Sequence, residues 1–146
     1  MAIKSSTGLR DGALGTDSIS ALLDLGFIDI YAGAVPATAD ADVTGHTKLC
    51  RISVNSTGTG LSMDPPSGGI MSKPSADVWS GTNLATGTAT FYRHVGAADT
   101  GAASTTQPRL QGTIGVAGAD INLASVALVS AATQPLDTYH IVFPTL

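Results

Sequence analysis

All eleven acidic residues of this 146-residue chain are aspartates, and it contains no glutamate. Glutamate is at home in helices, whereas the shorter aspartate competes with the helical backbone for hydrogen bonds and favours caps and turns. Glycine, alanine, serine and threonine together make up roughly half of the chain. Such a sequence builds short strands joined by many tight turns, and few helices. It also carries few of the side chains that an active site draws on.

The length suits one domain spanning residues 1–146, enough to bury about two-thirds of the unfolded surface. Much of the apolar content is alanine and only 5% of residues are aromatic, which predicts a thin core between two facing sheets. Charged residues make up 12%, about half the usual share. Two readings stay open at this point: a surface covered by partners or neighbouring copies, or one solubilised by Ser and Thr. The net charge of −4 argues against nucleic acid as a partner, because the seven basic residues are scattered. Cys50 is the sole cysteine, so no intrachain disulfide is available and a buried, inert thiol is expected. The N-terminal segment has no apolar h-region, and the run from Ile121 to Ala132 is too short to span a bilayer. No membrane partner is expected, and synthesis in a cytosol is.

Along the chain, residues 1–16 read as an extended N-terminal arm. One short helix follows, capped by Asp17, with Ile19, Leu22 and Leu23 at helical spacing and Gly26 just past its end. Strands are expected over Phe27 to Tyr31, Lys48 to Val54, around Ile70-Met71, over Asp77 to Ser80, and over Thr86 to Val95. A polar loop from Gly96 to Gln107 precedes a strand with Leu110, Ile114 and Val116 on one face. Gly112 within it suggests a bulge or a close backbone approach. A parity slip at Ala124-Ser125 suggests a β-bulge. The last strand, Leu136 to Phe143, would turn Tyr139, Ile141 and Phe143 to one side. Seven or eight short strands with one N-terminal helix predict an all-β, jelly-roll-like β-sandwich.

The sequence offers no catalytic set. It has no G-x-S-x-G elbow, and His46, His94 and His140 fall on three separate segments outside any H-x-x-x-H pattern. No pair of acids is singled out for glycoside hydrolysis. Asp40 and Asp42 could help hold a calcium ion, but turn-stabilising aspartates are the commoner occupants of such loops. The glycine-rich stretches at Gly58 to Gly60 and Gly115 to Gly118 precede no helix and lack the donor array that cradles phosphate. No cofactor or metal site is expected. Three residues stand out as candidate interface positions: Trp79, as a large aromatic near turns with a core role equally open, and Arg93 and Arg109, whose acidic partners could be internal or on a neighbour.

A series of turn and strand motifs carries a resemblance. They are Ser6 to Arg10; Ile28 to Gly33 with Pro36, Ala39 and Asp40; and Pro66 to Ile70. Trp79 to Thr82 with Ala85 to Ala89, Ser104 to Arg109, and Gly118 to Leu123 continue the order. The chain resembles a family of small virion structural proteins of tailed bacteriophages, among them the capsid cement (decoration) proteins of short-tailed phages. The resemblance implies an all-β, jelly-roll-like subunit on the outer surface of an assembled head. It implies the major capsid protein as partner, a homodimeric state, and no catalytic residues. A tail or baseplate component and a carbohydrate-binding module are the alternative functions. The first follows from the use of small β-sandwiches there, the second from the glycan-binding habit of jelly rolls.

Overall fold

A computed structural model describes residues 3–143. The chain opens with strand β1 (Lys4–Ser5), helix α1 (Thr7–Gly15) and helix α2 (Ile19–Leu23), then strands β2 (Phe27–Tyr31) and β3 (Lys48–Val54). Strands β4 (Ile70–Ser72), β5 (Trp79–Thr82), β6 (Gly87–Thr88) and β7 (Phe91–Val95) follow. The last third carries β8 (Arg109–Gly115), β9 (Ile121–Asn122), β10 (Ala127–Leu128), β11 (Thr133–Pro135) and β12 (His140–Val142). The fold is all-β and sandwich-like, with shorter and more numerous strands than the turn signals suggest, and with two short helices instead of one.

The main sheet runs β1-β8-β7-β2-β3-β5-β11, and β9 adds to β8 in parallel. Its alternation decides what each face does, because successive side chains of a strand point to opposite sides. Ile28, Ile30, Cys50, Ile52, Tyr92 and Leu110 point into the principal core, each no more than 7% exposed. The second layer is assembled from α1, α2, the β4–β12 ribbon and the β6–β10 ribbon, which contribute Leu9, Leu23, Met71, Ile141 and Leu128 to that core. Each such side chain removed from water is worth about 1.5–3 kcal/mol. The thin core expected from the composition is therefore held between one continuous sheet and a patchwork.

The other face of the sheet is polar and also buried. It carries Asp29, Arg93, Arg109 and Gln111 at 2% exposure or less, beside a small cluster of Tyr31, Phe91 and Val43. Tyr31 and Phe91 stack with centroids 5.1 Å apart. The loops 32–47 and 96–108 cover this face, so both sides of the central strands lie inside the molecule.

Several expectations give way at the N-terminus. Residues 4–15 are a strand and a helix, not an extended arm: Ser6 accepts from the Leu9 amide at 3.1 Å as N-cap, and Asp40 takes the Thr7 amide and hydroxyl at 2.8 and 2.7 Å. The second helix is capped by Ser18, not Asp17. Its exit uses Leu25 at φ 56°, while Gly26 serves a different need: a Cβ there would lie 2.1 Å from the Val95 carbonyl oxygen.

Other corrections fall in the second half. No ladder crosses Ala124-Ser125; β9 and β10 are separate strands there, and the ladder irregularity lies between Ile30 and Tyr31. Of the expected last strand, Leu136 to Phe143, only His140–Val142 forms a strand (β12), and Phe143 is 63% exposed while Tyr139 and Ile141 are buried. Gly112 does mark a close approach, since a Cβ would meet the Tyr92 ring at 2.7 Å.

Candidate interaction surface

The three candidate interface residues all lie inside the subunit. Trp79 is 1% exposed, Arg93 0% and Arg109 1%, so none is available as a surface anchor. The structure brings the two arginines together on the polar face of the sheet and leaves Trp79 in the principal core, its ring 6.0 Å from that of Tyr139.

The arginines act as internal clamps. Arg109 lies on β8 and grips Asp99 with two nitrogens, the Nη2–Oδ1 bond being 2.8 Å, and also donates to the carbonyls of Ala39 at 3.2 Å and Ala102 at 2.6 Å. Arg93 on β7 donates to Gln111 Oε1 at 2.9 Å and to the carbonyls of Ala41 at 2.8 Å and Thr38 at 3.3 Å. Gln111 in turn donates to the Pro36 carbonyl at 2.8 Å. A guanidinium offers five donors in a fixed fork, so one buried arginine can satisfy several loop carbonyls that would otherwise be stranded. Burial, and then the charge of Arg109, lower the Arg93 pKa to about 10, which keeps it cationic at neutral pH.

Four more aspartates, Asp29, Asp40, Asp42 and Asp120, are likewise engaged within the subunit. Asp29 is the hub for Arg51, at 2.7 and 2.8 Å, and for Lys48 at 2.7 Å. Asp42 closes a turn on Thr44, and Asp120 accepts from the Thr113 amide and hydroxyl at 2.8 and 2.9 Å. Asp40 is engaged with Thr7; burial opposes its charge, but those hydrogen bonds prevail and hold its pKa below the usual value. No group of three or more His, Cys or Asp side chains is arranged to hold a metal among the described residues.

The histidines are as dispersed as their sequence positions suggest. His46 contacts the Ala34 carbonyl at 3.0 Å and His140 the Ser72 hydroxyl at 3.0 Å. His94 is fully buried, with Nδ1 3.1 Å from the Tyr139 hydroxyl. Its Nε2 makes no formed hydrogen bond among the described residues. Burial pushes its pKa down to about 4 against the nearby Leu23 backbone, which favours the charged ring.

The exposed feature the sequence did not announce is apolar. A groove of about 390 Å³ runs between α1, β1 and β12, and a second hollow of about 480 Å³ adjoins it, sharing Ile19, Ile141 and Phe143. Leu14 at 89%, Phe143 at 63% and Val142 at 55% exposure stand at its margin. The available signal was Ser6 followed by Leu9 and Ala13, a capping residue with an apolar pair four apart. Comparison with known proteins finds no matching family model, no matching curated protein and no matching solved structure.

Proposed function

We propose that this chain is a non-enzymatic virion structural protein that binds the outside of an assembled phage head and stabilises contacts between major capsid subunits. The observation that carries the reading is how the chain uses its charge. Its buried arginines and several of its aspartates are committed to fixing its own loops and strands, while two adjoining hollows beside β12 are lined mainly by apolar side chains, with no His, Cys or Asp among them. A rigid subunit with apolar docking surface suits adhesion, and the order of turn motifs resembles that of phage head proteins.

The energetics of such a role are simple. A subunit that binds several shell proteins only in their assembled arrangement stabilises that arrangement by mass action. Repetition over the shell makes modest contacts effective, and a homodimer would offer its patch twice across a two-fold joint. A glycan-binding role loses its natural platform, because Tyr31, Trp79, Tyr92 and Tyr139 are all buried, at 4% exposure or less.

The test is sedimentation of purified protein with heads that lack it, followed by heating. The expected result is saturable co-sedimentation and heads that keep their DNA at higher temperature. Binding to isolated tails and not to heads would make the chain a tail or baseplate component.

A further inference from the structure

The groove beside α1 is bounded on two sides by strand edges. In the β4–β12 ribbon, the Phe143 amide donates to the Gly69 carbonyl and the Lys73 amide to the Tyr139 carbonyl, both at 2.9 Å. In an antiparallel ladder, alternate residues turn their backbone groups toward the partner and the others turn theirs away. Tyr139, Ile141 and Phe143 therefore face β4, and the N–H and C=O groups of His140 and Val142 point to the opposite side. The same argument applies to β1. Ser6 donates to the Arg109 carbonyl at 2.9 Å, so Lys4 and Ser6 face β8 while the backbone of Ile3 and Ser5 points outward. These outward groups have no backbone partner among the described residues.

Residues of both edges line one cavity. Ile3 and Ser5 line one side and Val142 and Phe143 the other, over a floor that includes Leu9 and Leu110, which are 2% and 7% exposed. Its volume of about 390 Å³ lies in the range of sites that seat a ligand. Unpaired edges invite another strand, and proteins ordinarily blunt them with proline or charge. The far edge of the main sheet has such a device, Pro135 on β11. Strand β12 carries no proline, lysine or acid. The charged side chain at the groove is Arg10, whose guanidinium donates to the Thr7 hydroxyl at 3.1 Å and has no carboxylate within ion-pair distance among the described residues.

We propose that this groove takes an extended apolar segment of a partner protein as an added β-strand, with a carboxylate of that segment against Arg10. Main-chain bonding to an edge supplies affinity in this mode of recognition, and pockets for alternate side chains supply selectivity. The inference goes beyond the head assignment, since it concerns what the groove recognises and stands whichever particle supplies the strand.

The test selects binders from a yeast-displayed library of random peptides of about ten residues, the upper range of strand length. Selected peptides are expected to alternate apolar and polar residues and to carry a carboxylate. On binding, amide exchange at Ile3, Ser5, His140 and Val142 should slow. Val142→Pro removes an edge donor that β4 does not use, and should weaken binding about tenfold or more. Arg10→Gln, a surface change that leaves the fold alone, should weaken only carboxylate-bearing peptides. Val116→Asp, on an exposed loop away from the groove, should change nothing. The proposal is overturned if no peptide is enriched, if the winners carry a helical pattern, or if both groove variants bind as the parent does. It is also overturned if the edge amides are already protected in the free monomer, or if Val142→Pro converts a dimer to monomer, which would assign the edge to a second copy.

Discussion

Arg109 and Asp99 form a two-point ion pair in which both side chains are 1% exposed, and through it the loop 96–108 is tied to the start of β8. Arg109 reaches the Ala39 carbonyl of the other covering loop as well, so a single guanidinium holds two loops on one face. A buried pair of this kind adds less net stability than its attraction suggests, because both ions lose their hydration. Breaking it is another matter, since one charge is then left buried alone.

Arg109→Met should therefore lower the unfolding free energy by about 3–5 kcal/mol, and Asp99→Asn by a comparable amount. The double variant should cost less than the sum of the two. Urea unfolding of the four proteins measures this directly, and strict additivity would mean that the pair is not coupled.

His94 makes stability depend on mild acid. Its folded pKa of about 4 lies below the ordinary value of 6.5, so between these the unfolded chain binds more protons than the folded one. Stability is then full above about pH 6.5 and falls as the pH drops toward 4, with a slope of at most about 1.4 kcal/mol per pH unit from this residue. A neutral His94→Gln variant should be less stable near neutral pH but lack that part of the slope. Parallel pH profiles for parent and variant would refute the assignment.

Gly81 sits on β5 beside its sheet neighbour β3, and a Cβ there would lie 2.2 Å from the Arg51 carbonyl oxygen and 2.6 Å from Cys50 Sγ. Gly81→Ala must push strands apart and should cost about 2 kcal/mol or more. Thermal unfolding that matches the parent would show that the ladder has room.

Cys50 is fully buried in the same region, and its thiol is pushed up to about 12 by burial and by the charge of Asp29. A thiol reagent at pH 8 should react only as fast as the protein opens, and promptly in denaturant. Rapid native labelling would place the side chain at the surface.

How much of this was legible in the sequence depended on whether the signal was local. The absence of glutamate and the patterns of Phe27 to Tyr31, Lys48 to Val54 and Thr86 to Val95 were enough for strands, and β2, β3 and β7 form the centre of the sheet, although the span from Thr86 breaks into β6 and β7. Helix α1 was hidden because Gly8 and Gly12 are poor helix formers, and their reason is tertiary. A Cβ on Gly8 would meet the Thr106 backbone at 2.4 Å, and one on Gly12 the Leu22 side chain at 2.8 Å. Arg93 and Arg109 were read as cations with partners either inside the fold or on a neighbour, and their burial follows from loops that fold back over the sheet, which no periodicity encodes. The groove was missed for a related reason: it joins residues 3–14 to residues 141–143, the two ends of the described chain.

The place proposed for this chain is the outside of a phage head. An electron-microscopy map of the whole particle tests it most directly. Density fitting this fold is expected on the outer surface of the head, seated over joints between shell subunits. Density for the fold in the tail alone, with a bare outer shell, would contradict it.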